Sequence, residues 1–141
     1  MAYDPDNIFA RMVRGEIPCV RVYEDADTLA FMDIMPQSDG HTLVIPKHAG
    51  ENLFDSSPVA VAAAIRTTQR IARAVQAAFA APGLIVKQFN GPVAGQTVFH
   101  LHFHIIPVYA GAALRAHARD KADPAVLEAH AERIRAALRA G

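Results

Sequence analysis

Val98-Phe-His-Leu-His-Phe-His-Ile-Ile-Pro107 sets histidines at positions 100, 102 and 104, one at every second residue. Strand side chains alternate between faces, so an extended run here puts His100, His102 and His104 on one side. Phe99, Leu101, Phe103 and Ile105 then fall on the other side, where they can pack as core. Histidine is the side chain best suited to proton transfer near neutral pH, and it can also act as a nucleophile. A row of imidazoles forgoes apolar packing that this strand could otherwise have. The pattern points to chemistry.

Outward from that row, Asn90-Gly-Pro-Val-Ala-Gly95-Gln-Thr97 reads as a Gly/Pro loop, and Gly83-Leu-Ile-Val-Lys-Gln-Phe89 before it as a strand. The two runs can pair as an antiparallel hairpin. Ser57-Pro58 looks like an N-cap and first helical position, followed by Val61, Ile65, Ala72, Val75 and Phe79 at helical spacing. This predicts a long amphipathic helix that Pro82-Gly83 stops, its alanines suited to close helix–sheet packing. Upstream, Asn7 caps a short helix with Ile8, Phe9, Met12 and Val13 on one face, ended by Gly15 and Pro18. Val20–Tyr23, Thr28–Asp33 and His41–Pro46 read as three strands, the first two joined by a polar turn. Asp123-Pro124 caps a last helix with Leu127, Ala131, Ile134 and Leu138 on one face. The predicted class is α+β, with about five strands in a mainly antiparallel sheet and one long helix across a face.

With 141 residues and no linker or repeat, the chain fits one domain, a core of about 7–108 followed by a helical extension of about 112–141. Formal net charge is zero, which argues against binding nucleic acid or an anionic membrane through charge. Cys19 is the single cysteine, so no internal disulfide can form, and its plain reading is a small buried side chain. The first residues have neither a basic nor an apolar targeting region, and no run matches the ~20 apolar residues of a membrane span. The expected location is the cytoplasm.

Two chemistries suit the histidine row. Alternate strand residues lie roughly 6.5–7 Å apart, which puts His100 and His104 about 13 Å apart at their backbones. One zinc ion with bonds near ~2 Å fits all three poorly, and no cysteine pair or acidic ligand flanks the row. No metal and no cofactor are predicted. Gly91-Pro-Val-Ala-Gly95-Gln-Thr97 instead offers flexible backbone amides and a hydroxyl beside the first histidine, as an anion-binding turn does. A neutral imidazole held in one tautomer can attack phosphorus while nearby donors stabilise the charge on its oxygens.

Gly95-Gln-Thr-Val-Phe-His-Leu-His-Phe-His-Ile-Ile106 resembles the signature of the histidine triad (HIT) family, His-x-His-x-His followed by two apolar residues. The resemblance extends to Ile8-Phe-Ala-Arg-Met-Val-Arg-Gly-Glu-Ile-Pro18, Leu29-Ala-Phe-Met-Asp-Ile-Met-Pro36 and Gly40-His-Thr-Leu-Val-Ile-Pro-Lys-His48. It implies a nucleotide hydrolase acting at the α-phosphate of nucleoside 5′-phosphate derivatives, with no cofactor, a purine nucleotide as substrate and a homodimer joined edge to edge.

By this resemblance His102 is the nucleophile that forms a covalent nucleotidyl-histidine, and the backbone carbonyl of His100 holds its Nδ1–H. His104 matches the position that contacts a phosphate oxygen, and His41 the fourth histidine that supports the row from a neighbouring strand. Asn90, Gly95, Gln96 and Thr97 correspond to the phosphate-side group, and Asp33 to the residue that holds the ribose hydroxyls. Ile8, Phe9, Phe31 and Ile34 match the walls around the base; patterning alone fits ordinary core equally well. His48, His117 and His130 are assigned to surface or structure.

Some departures narrow the reading. Asp4 and Asn7 stand where some bacterial relatives carry zinc-binding cysteines, so no structural zinc is expected. Thr97 stands where many phosphoramidase-type members have Ser. The chain has no Trp and its own tail after Pro107, so members whose tail helps choose the leaving group are no guide. A third histidine in place of Gln favours the hydrolase branches. The leading expectation is a purine nucleoside phosphoramidase; a dinucleoside polyphosphate hydrolase is the close alternative, and a non-catalytic nucleotide-binding module the alternative of another class.

Overall fold

The computed structural model describes residues 2–141. In chain order the elements are α1 (Ile8–Val13), β1 (Arg21–Glu24), β2 (Thr28–Met32), β3 (Thr42–Pro46), α2 (Pro58–Phe79), β4 (Gly83–Lys87), β5 (Phe103–Val108) and α3 (Pro124–Ala140). The five strands form one sheet in the order β1-β2-β3-β5-β4, every neighbouring pair antiparallel. The α+β architecture read from the sequence is the one observed.

Local chemistry sets the helix starts. The Asn7 side chain accepts from the N–H groups of Phe9 and Ala10 at 3.0 and 2.9 Å. Ser57 Oγ accepts from Ala60 at 3.1 Å, and an Asp123 oxygen from Ala125 at 2.9 Å. Each satisfies an amide that has no partner within its helix. Pro58 and Pro124 fill first-turn positions that need no N–H.

Both faces of the sheet centre are covered, so every residue of β2 and β3 is buried. On one face Ala30, Met32, Val44 and Ile105 pack against Ile71 and Val75 of α2 and Leu127 and Ile134 of α3. On the other, Leu29, Phe31, Leu43 and Ile45 meet Phe9 of α1. In the ladder Leu43 pairs with His104 and Val44 with Phe103. Paired residues share a face, so His104 lies on the α1 side and Phe103 and Ile105 on the helical side.

Three expectations change in detail. The histidine strand begins only at Phe103; His100 and His102 precede it. The backbone there is pinned elsewhere: Leu101 N–H donates to Gly50 O at 2.9 Å, and the His100 carbonyl accepts from the His102 side chain at 2.6 Å. Side-chain bonds of this kind compete with a ladder. The alternation of faces survives, because Leu101 and Phe103 pack with Ala64 of α2. On α2 the buried stripe runs through Ala60, Ala64, Thr67, Ile71 and Val75, while Ile65 is 46% exposed. α3 packs beside α2 and rotates the buried face away from the predicted one. β4 ends at Lys87, short of Phe89.

Gly40 sits immediately before His41 with φ +95°, a backbone region that side chains rarely adopt. A Cβ there would stand 3.0 Å from the Phe79 ring and 3.2 Å from Pro107. Gly40→Ala is expected to lower stability by roughly 1–3 kcal/mol through strain and overpacking. Urea unfolding measures it, and an unchanged midpoint would contradict this reading of the turn.

Candidate active site

His41, His100, His102 and His104 are all buried, on or beside the sheet face that α1 covers. Burial disfavours the charged imidazolium, and this is the main influence on each. It lowers the His102 pKa to about 4, against the opposing bond to the His100 carbonyl. It lowers His104 to about 2 and His41 to about 3, with nearby positive groups adding to the effect. His100 is lowered too, its bond to the Pro46 carbonyl opposing. At neutral pH the row is uncharged.

A neutral imidazole carries one donor and one acceptor, and its partners decide which nitrogen is which. Gln37 N–H donates to His41 Nδ1 at 2.9 Å, so the His41 proton is on Nε2. That Nε2–H faces His104 Nδ1 at 3.0 Å, which makes His104 an Nε2–H donor. His104 Nε2 is shielded from solvent and has no hydrogen-bond partner among the described residues. His102 Nδ1–H donates to His100 O at 2.6 Å, leaving Nε2 as a lone pair. His100 Nε2–H in turn donates to Pro46 O at 2.8 Å, and His100 Nδ1 accepts from the Tyr3 hydroxyl at 2.7 Å. The row therefore presents one nucleophilic nitrogen, on His102, beside one donor, on His104.

His102 and His104 line a cavity of about 310 Å³ whose walls include Ile8, Phe9, Phe31, Asp33, Ile34 and Thr97. Its size is that of a small-molecule site. Phe9 and Phe31 are buried core as well as wall, and Phe9 meets His102 edge to face at 5.0 Å between ring centres. Ile8 and Ile34 are 47% and 45% exposed, so they are wall and not core. A larger groove of about 560 Å³ between α2, the β1–β2 turn and the end of α3 is lined by Arg66, Arg70, Arg73, Asp25 and Asp27. It holds no histidine; the smaller cavity is where buried polar groups converge.

Asn90, Gly95 and Gln96 are not in the cavity lining, unlike Thr97. Gln96 is a buried crosslink: Oε1 accepts from Gly91 N–H at 2.9 Å, and Nε2 donates to Glu51 O and Val98 O at 2.6 and 3.0 Å. Asn90 Oδ1 accepts from Leu53 N–H at 2.9 Å. These side chains brace the 90–97 loop against the loop after β3 and hold Thr97 in place.

Asp33 Oδ1 accepts from Met35 N–H at 2.9 Å, and Oδ2 lies 3.3 Å from His41 Nε2. With His41 neutral, that contact is not an ion pair. Burial pushes the Asp33 carboxyl up to about 6. Ligand atoms of Asp33, His41 and His104 lie within 4.8 Å of one another. A metal would need lone pairs on His41 Nε2 and His104 Nδ1, but one proton joins those atoms and the Gln37 amide holds His41 in that tautomer. The trio fits a hydrogen-bond relay.

Two site groups escape sequence reasoning. His117, assigned to surface or structure, lines the cavity next to His104, with 5.6 Å between ring centres. Tyr3 reaches His100 from the N-terminal segment. Neither lies in a periodic run, so no spacing signals them. His48 and His130 stay outside the site, beside Asp27 and Phe79.

The HIT domain model matches residues 14–111. The chain is 42% identical over 118 residues to Protein hit of Bacillus subtilis, covering 80% of this chain and 81% of that protein. It is 41% identical over 100 residues to adenosine 5′-monophosphoramidase hnt1 of Schizosaccharomyces pombe, covering 71% and 72% respectively. Among solved structures, a Hit-like protein from Bartonella henselae superposes with a TM-score of 0.90 at 52% identity, over 96% of this chain and 99% of that one. With a domain match that spans the buried histidine row and this likeness to relatives, the chain belongs to the histidine triad family.

Proposed function

We propose that the protein is a nucleotide hydrolase that cleaves nucleoside 5′-phosphate derivatives at the α-phosphate through a covalent nucleotidyl-His102. The observation that carries this is the pair of opposed tautomers: an Nε2 lone pair on His102 beside an Nε2–H donor on His104. Nε2 of His102 attacks phosphorus, the bond to the leaving group breaks, and the positive charge gained by the imidazole is stabilised by the His100 carbonyl at 2.6 Å. His104 donates to a phosphate oxygen. Water then attacks phosphorus, releasing the nucleoside monophosphate and restoring His102.

In this reading the base lies against Ile8, Phe9, Phe31 and Ile34, and Asp33 accepts from the ribose hydroxyls. Thr97 serves the phosphate, while Asn90, Gly95 and Gln96 support the loop behind it. A P–N bond is the first choice for the scissile bond. A cavity of about 310 Å³ is at the small end for ligand sites, which favours a compact leaving group over a second nucleoside polyphosphate. The relative in Schizosaccharomyces pombe, named a monophosphoramidase, supports the same choice.

β4 is an edge strand, and Ile85 and Val86 on it are 40% and 43% exposed. Ile65, Ala72 and Val86 line one groove between α2 and β4. Unpaired strand edges beside exposed apolar groups favour pairing with a second copy. The opposite edge is blunted by Arg135, whose guanidinium donates to Arg21 O at 2.6 Å. These features support a homodimer through β4 and α2.

His102→Ala is expected to lower turnover of an adenosine 5′-phosphoramidate by at least about 10³-fold and to abolish trapping of radiolabelled nucleotide on the protein. Full activity in that variant would remove the nucleophile assignment. Because His102 stays neutral down to about pH 4, the single-turnover rate on a substrate whose leaving group needs no proton should hold between about pH 7 and 5. KM should rise below about pH 6 as Asp33 loses its charge. A rate falling with an ordinary imidazole pKa near ~6.5 would contradict the burial argument. Sedimentation equilibrium should give a mass twice the 15.2 kDa of one chain, and the monomer for Val86→Lys. A monomeric parent protein would refute the dimer.

A further inference from the structure

The segment between β5 and α3 contributes His117 and Ala118 to the cavity wall, and from residue 112 on it lies beyond the residues matched by the family model, which end at 111. It is fastened to the loop that follows Asp33. Arg115 N–H donates to Gln37 O at 2.7 Å, Gln37 Nε2 to Arg115 O at 3.1 Å, and Arg115 Nε to Pro36 O at 2.9 Å. Ala122 N–H donates to Ile34 O at 2.9 Å. Between these fastenings Ala118 has φ +50°, a left-handed conformation unfavourable for a residue with a side chain. The strap holds that strain with His117 beside it, and His117 and Ala118 both line the cavity.

The His117 ring packs against Phe89 and His104, with centres 5.5 and 5.6 Å away. Both its nitrogens are shielded from solvent, and neither makes a hydrogen bond of good geometry among the described residues, the Gly95 backbone being near enough only to act weakly on the ring. Buried polar atoms are almost always paired, so a ring with neither nitrogen satisfied, set against a cavity, is positioned for a ligand. Burial and the Lys87 ammonium hold its pKa below the ordinary imidazole value, the Gly95 backbone opposing.

Along the wall the rings run His102, His104, His117, the first pair 5.0 Å apart and the second 5.6 Å. In an in-line displacement the leaving atom stands opposite the nucleophile. With His102 at one end of the row and His104 on the phosphate between, the ring at the far end lies on the leaving-group side.

We propose that His117 is a further catalytic residue of this site, contacting the leaving group and giving a proton to the leaving atom as its bond to phosphorus breaks. The proposal rests on the nucleotidyl-His102 reading above. An anionic phosphate beside the ring favours its protonated form, so His117 takes a proton from solvent as substrate enters. The His102 Nε2–P bond forms, the bond from phosphorus to the leaving atom breaks with its electron pair going to that atom, and the His117 proton follows. His117 is then neutral. When water attacks phosphorus, the Nε2–P bond breaks with its electrons returning to His102, and His117 accepts a proton from the water.

The test compares first-turnover rates on an adenosine 5′-phosphoramidate with an alkylamine leaving group and on the 4-nitrophenyl ester of adenosine monophosphate. The amine must be protonated to leave; the nitrophenolate need not be. His117→Gln and His117→Ala should lose on the order of 10²-fold on the phosphoramidate and less than about threefold on the aryl ester. His117→Gln keeps the size of the side chain, so it reads the proton and not the shape of the strap. Equal losses on both substrates in His117→Gln, or no loss on either, would overturn the role of His117. If the parent protein forms nucleotidyl-His102 with both substrates, such a result leaves the hydrolase reading standing. Failure of the parent to form it with either substrate removes both readings together.

Discussion

The backbone N–H of Gln37 reaches His41 Nδ1 at 2.9 Å, and the protonation of His41 and of His104 behind it depends on this one bond. It forces the His41 proton onto Nε2, which commits His104 to accept through Nδ1 and to donate through Nε2. The His100 carbonyl does the converse for His102 at 2.6 Å. Burial keeps the rings neutral, and fixed backbone groups then choose the tautomers. A site made this way needs no charge of its own to present a nucleophile and a donor side by side.

The rest of the fold keeps those backbone groups in place. Register between β3 and β5 sets Leu43 opposite His104, which brings His41, two residues earlier, to the same face. The apolar side chains that alternate with the histidines, Leu101, Phe103 and Ile105, are anchored against the helical layer. Gln96 and Asn90 tie the loop before the row to the loop after β3, so Thr97 and His102 share a rigid rim. Gln37 also connects the relay to the strap through its bonds with Arg115, and to β4 by accepting from Lys87 Nζ at 3.0 Å. One loop, Asp33 to Asp39, thus joins the Asp33 carboxyl, the relay and the strap that carries His117.

Much of this was legible in the sequence because it is local. Asn7, Ser57 and Asp123 announce their helices through caps that act over two or three residues. The alternation around His102 shows which side chains share a face. Other features depend on contacts distant in the chain. The alternation suggests a strand over all three histidines, but the His100 carbonyl and the Leu101 amide are taken by His102 and Gly50. The face of α2 that is buried depends on where α3 packs, and an alanine-rich helix offers little pattern to reveal it. Asn90 and Gln96 sit in the expected loop, yet their side chains turn inward to brace it. His117 and Tyr3 arrive at the site on irregular segments, where no period carries information.

The central claim is that neutral, opposed tautomers make His102 a nucleophile and His104 a donor. Nitrogen-15 NMR of the imidazole rings at neutral pH tests it most directly. The account predicts an unprotonated Nε2 with a protonated Nδ1 on His102, and the reverse on both His104 and His41. A protonated Nε2 on His102, or an imidazolium at either His102 or His104, would contradict it.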